Sequence, residues 1–136
     1  MVDTGTVALR NLALSDFSVD DLDAVVDTHR HPDHISDLVP LIQDKVVRSF
    51  SQDESDLALF GPKGHKSYLK DRIRYEMKNS LGEFEEFGFE LKVNELEKSQ
   101  DITGFLVESL EAIHGPQGFE CLREKDPRNG KVNVCT

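Results

Sequence analysis

Apolar residues at Val7, Leu9, Leu12 and Leu14 recur near helical spacing and predict a first helix just after the short segment formed by Val2, Asp3, Thr4 and Gly5. Ser18 followed by Asp21 is a capping pattern, and residues 22–27, with the apolar run Ala24, Val25, Val26, predict a buried strand. A histidine-dense loop follows. Ile35, Leu38, Leu41 and Ile42 then return to helical spacing, which sets the loop between a strand end and a helix start. Residues 57–60 read as a strand stopped by Gly61 and Pro62, and residues 67–78 as a helix. Residues 87–96 and 105–113 look extended, and 119–124 pairs naturally with 131–135 across the turn signal at 126–130. The fold class is α/β, rich in pairing strands. With no repeat, low-complexity tract or Gly/Pro/Ser-rich linker, residues 1–136 read as a single domain.

Composition narrows this picture. The chain has 136 residues, 38% hydrophobic and 31% charged, enough to bury a core. Its 26 acidic and 16 basic residues leave a formal charge of −10, which excludes nucleic-acid binding by bulk charge. The local cluster Lys63, Lys66, Lys70, Arg72 and Arg74 reads as an exposed helix face, although it could attract a phosphate. No apolar run reaches the roughly 20 residues of a membrane span, and the N-terminus has no signal-peptide pattern, so no membrane partner and a cytoplasmic location are expected. Cys121 and Cys135 have no zinc spacing; they could face each other across a hairpin, but free thiols are the favoured reading.

The strongest chemical signal is His29, Arg30, His31, Pro32, Asp33, His34, with three imidazoles and a carboxylate in six residues. These are the donors that borderline divalent metals prefer. In an extended backbone His29 and His31 point to the same side and can grip one ion. Asp33 and His34, at the turn into the helix, can reach a second ion beside the first. The segment Gly61, Pro62, Lys63, Gly64 lacks the spacing of a phosphate-binding loop and reads as a turn. His65 reads as a surface residue near a helix start.

The HRHPDH run resembles the HxHxDH signature of the metallo-beta-lactamase superfamily, and the flanks are similar too. Asp3, Thr4 and Gly5 resemble the strand end before that family's first helix. The stretch Leu59, Phe60, Gly61, Pro62, Lys63, Gly64, followed by Tyr68 and Leu69, is similar to ribonuclease Z and its relatives. The resemblance implies part of an αββα sandwich, lacking the first strands and the C-terminal half. It also implies that His114, before Gly115 and Pro116, is a third ligand to the first metal. The implied activity is hydrolysis by a metal-activated water that Asp33 orients. The expected cofactor is one or two zinc ions, with manganese or iron as alternatives.

In the family a bridging aspartate and a final histidine follow the strand that Val132, Asn133, Val134, Cys135 and Thr136 resemble. Both fall beyond Thr136, so feeble hydrolysis and a weak second metal are expected. Two function classes therefore stand: a ribonuclease Z-like hydrolase of a small-molecule or phosphodiester substrate, and an inactive metal-binding fragment or half of an interaction pair. The segment 115–136 is too short for the basic arm of tRNA-processing members, so tRNA is not the favoured substrate. Uncovered sheet edges predict self-association or partial disorder.

Overall fold

The computed structural model describes residues 1–50, 56–77, 89–112, 119–125, 128 and 132–135. Its centre is a parallel sheet of β1 (Ala24–Val26), β2 (Leu57–Gly61) and β3 (Leu91–Glu95), in that order. Residues 1–3 run alongside β1, bridging Val2 to Val26 in parallel, with Met1 N donating to Ala24 O at 2.8 Å and Asp3 N to Val26 O at 2.9 Å. All four segments point the same way, so their C-terminal ends gather at one sheet edge, where open α/β sheets place their ligands.

The crossover from β1 to β2 carries α2 (Pro32–Ile35) and α3 (Leu38–Ser49), and that from β2 to β3 carries α4 (His65–Glu76). Such crossovers are right-handed, so two that step in the same direction lay their helices on the same face. Accordingly, Leu38, Leu41, Ile42 and Val46 of α3 and Leu69 and Ile73 of α4 share one core with Val25, Leu57 and Leu59. Each fully buried Leu or Val here contributes about 1.5–3 kcal/mol. Lys45 is also fully buried on α3, its Nζ 5.3 Å from the Phe89 ring centroid.

The alternate residues Ala24, Val26, Ala58 and Phe60 face the other way and pack on Ile102, Phe105 and Val107. Those belong to an antiparallel sheet of β4 (Ser99–Ile102), β5 (Phe105–Ala112), β6 (Phe119–Lys125) and β7 (Val132–Cys135). The result is three layers: helices, parallel sheet, antiparallel sheet. This is the α/β class expected.

Several boundaries differ from the sequence reading. The first helix, α1 (Ala8–Ala13), is short and has no buried residue. Ser18 and Asp21 form a complete capping box, but on a single 3-10 turn, Val19–Asp21. The strand β4 was not anticipated: its pattern of Ser99, Gln100, Asp101 and Ile102 offers one buried apolar residue, and the hairpin rests on Thr103 and Gly104 at φ 53° and 86°. The β6–β7 hairpin pairs as expected, with Cys135 opposite Leu122. Cys121 is therefore one position out of register with Cys135, so the two cysteines are not directly opposite each other across the hairpin. The turn at 126–130 lies outside the described residues except Arg128.

Candidate metal centre

The histidine-rich loop leaves β1 at Asp27, whose N–H donates to Phe60 O at 2.8 Å and so holds the strand end in the sheet. His31 keeps extended backbone as the N-cap of α2, and Pro32 begins that helix with its fixed φ. The predicted single helix is split because the N-terminal turn inserts into it. Thr4 N–H donates to His34 O at 2.8 Å, and Asp37 N–H donates to Thr4 O at 2.7 Å. Gly5 lies so close that a Cβ would collide with the carbonyl of Asp33.

Asp3 is the keystone of this arrangement. Its backbone is left-handed, at φ 53°, an outlying conformation that Asp tolerates better than most residues. Its carboxylate accepts Thr28 N–H at 2.7 Å and Thr28 Oγ1–H at 2.9 Å, and lies 2.7 Å from His34 Nδ1. An ionised carboxylate can only accept, so in the neutral His34 ring the proton sits on Nδ1 and the lone pair on Nε2. The Thr28 hydroxyl proton is directed at Asp3, so its oxygen accepts from His29 Nδ1 at 2.9 Å. One side chain thus sets two rings in the tautomer that ligates through Nε2, the role that partners of metal-binding histidines play.

The rings are close together. His29 and His34 have centroids 3.9 Å apart, and His29 and His31 are 5.0 Å apart. Burial, then the adjacent His34, pushes the His29 imidazole below its ordinary pKa, towards the neutral form a metal needs. Asp33 is 75% exposed, with Oδ2 3.6 Å from His34 Nε2. Two metal bonds of about 2.1 Å at a tetrahedral angle separate their donor atoms by about 3.4 Å. The pair therefore fits one ion. Among the described residues no three donors already surround a common point. His114 lies outside the described residues.

Below the loop the structure overturns two expectations. His65 is fully buried, because it opens α4 directly against the sheet edge, with Nε2 3.3 Å from the equally buried Asp27 Oδ2. Arg72 is not part of a free basic face: its Nη1 donates to Ile35 O at 2.9 Å and its Nε to Glu76 at 2.7 Å. Lys63, Lys66, Lys70 and Arg74 are exposed as expected. Arg30 lies 5.3 Å from the Tyr68 ring centroid and donates to the carbonyls of Pro62 and Lys63, tying the histidine loop to the turn before α4.

Sequence reasoning missed Asp3, Thr28, Asp27 and His65. Asp3 stands 25 residues from Thr28 and 31 from His34, separations that carry no local signal. The one hint was an acid closing the apolar run of β1.

A family model for the metallo-beta-lactamase superfamily matches residues 1–118. The chain belongs to that superfamily. It is 29% identical over 102 residues to ribonuclease Z of Bacillus velezensis, a match covering 73% of this chain and 30% of that protein. The metallo-beta-lactamase fold protein YhfI of Bacillus subtilis superposes with a TM-score of 0.71 at 24% identity, over 98% of this chain and 47% of its own. The short form of human tRNase Z gives 0.69 at 16% identity, over 98% of this chain and 55% of its own. The metallo-beta-lactamase fold is thus shown, and the chain spans about half the length of the solved relatives and a third of the curated one. No helix among the described residues is long and apolar enough to cross a membrane.

Proposed function

We propose that this chain carries the metal centre of a metal-dependent hydrolase acting on a phosphodiester. One observation carries the reading: the Asp3 carboxylate contacts His34 Nδ1 directly and His29 Nδ1 through the Thr28 hydroxyl, which leaves Nε2 of both rings for a metal, with the Asp33 carboxylate 3.6 Å from that of His34. His29 and His31 would hold a first ion, with His114 as third ligand; His34 and Asp33 would hold a second. Imidazole donors favour zinc over magnesium or calcium. Such an ion, when bound, supplies Lewis acidity and lowers the pKa of water towards about 7.

The chain's own groups do the rest. Asp33, exposed and acceptor-only when ionised, orients the attacking water and takes its proton. Arg30 anchors the turn before α4 and keeps the loop's mouth in shape. The names ribonuclease Z and tRNase Z among the relatives support a phosphodiester as the bond cleaved.

The test is hydrolysis of bis(p-nitrophenyl) phosphate by the chain loaded with zinc or manganese, beside Asp33→Ala and His31→Ala. We expect turnover above the metal-only background, at least tenfold lower in both variants. Equal rates in all three proteins would overturn the assignment.

A further inference from the structure

The pair Asp27 and His65 lies one layer beneath the histidine loop and has no part in the chemistry just described. We infer that His65 is a positioning residue of the metal centre, locking the Asp27 carboxylate and, through it, the Thr28–His29 turn. The inference rests on the metal-centre reading and names a further residue for that same site.

Three elements converge on Asp27. Thr4 Oγ1 of the N-terminal turn donates to Oδ1 at 3.0 Å, its own N–H is held by β2, and His65 of α4 faces Oδ2 at 3.3 Å. Both side chains are 0% exposed. Neither Asp27 Oδ2 nor either ring nitrogen of His65 has a hydrogen bond of full geometry among the described residues, and the 3.3 Å approach of Nε2 to Oδ2 is the polar contact that joins them. Each group is therefore the other's answer to burial.

Stability alone is a poor account of the pair. Apolar residues of similar volume in place of a buried ion pair are often neutral or stabilising, whereas removal of one partner is costly. What the pair does provide is a fixed place for Asp27, and the next two residues are Thr28 and His29, both buried. Gly61 is matched to it: a Cβ there would run into the His65 ring. The backbone of β2 has been kept bare at the point where the imidazole must lie.

The experiment compares wild-type chain with His65→Leu, His65→Gln and Gly61→Ala. Zinc affinity is read by competition with a chromophoric chelator, the ring tautomers by nitrogen-15 imidazole spectra of the metal-free chain, and folding by thermal melts. His65→Leu strands the Asp27 carboxylate, and Gly61→Ala displaces the ring while keeping it. Both should weaken zinc binding about tenfold or more, the usual effect of losing an outer partner, and mix the His29 tautomers. Gln places an amide nitrogen near the Nε2 position, so His65→Gln should keep affinity within about threefold of wild type by the same reasoning. Should His65→Leu fail to fold, Gly61→Ala and His65→Gln carry the comparison. Folded displacing variants with wild-type zinc affinity and unchanged ring spectra would overturn the inference. So would a folded His65→Gln that loses affinity as fully as Gly61→Ala. If the wild-type chain binds no zinc yet its His29 tautomer still depends on His65, the hydrolase reading fails and the positioning role stands.

Discussion

Replacing Asp3 by Asn tests the tautomer argument, because Asn tolerates the left-handed backbone at φ 53° and keeps the side chain's size. What changes is that one oxygen becomes an NH2 group. It must face either His34 Nδ1–H or the Thr28 backbone N–H, each 2.7 Å from the present carboxylate. A backbone N–H cannot move its proton, whereas an imidazole can. The amide therefore settles against the ring and drives the His34 proton to Nε2, the nitrogen that should bind metal. The charge-assisted hydrogen bond to His34 is replaced by a weaker neutral one from the amide to Nδ1, and the others are weakened, at about 1–2 kcal/mol of stability. The 21% exposure of the Asp3 side chain favours the lower end. Metal affinity should fall about ten- to a hundredfold, or roughly 1.4–2.7 kcal/mol. Chelator competition on the folded variant reads the affinity, and a thermal melt reads the stability. A folded Asp3→Asn chain that binds zinc within about twofold of wild type would refute the reasoning, since the predicted loss is at least tenfold.

Gly5→Ala should destabilise by about 1–3 kcal/mol or more, because its Cβ meets the Asp33 carbonyl, which is backbone and cannot swing aside; an unchanged melting temperature would count against the close approach. Acid should weaken the fold through His29. Its folded pKa is depressed below 6.5, so this contribution is present above pH 6.5 and is lost as pH falls through the folded value. Melts of wild type and His29→Gln between pH 7 and 5 should differ in slope, and parallel curves would contradict the assignment. Arg30→Ala should free the turn at 61–64 and raise hydrogen exchange at Gly64 while leaving the melting temperature nearly unchanged; equal exchange would remove Arg30 as the anchor.

The layers of the fold were readable in the sequence because both faces of β1 and β2 are apolar, and a short apolar run bounded by polar residues marks such a strand. The ligand loop was readable because its donors are adjacent. What orients those donors was not, since Asp3, Thr4 and His65 reach the site only through tertiary contacts across 23 to 38 positions. His65 misled for a physical reason: a histidine beside Gly64 and Lys66 has the neighbours of a surface residue, and its burial depends on Gly61 leaving room for the ring. The strand β4 escaped notice because only Ile102 of its four residues is buried.

The most direct test of the account is an anomalous difference map at the zinc edge from crystals of the chain grown with zinc. The account predicts a peak about 2.0–2.1 Å from His29 Nε2 and from a ring nitrogen of His31, with any second peak between His34 Nε2 and Asp33. Anomalous density confined to other side chains, or none at saturating zinc, would contradict it.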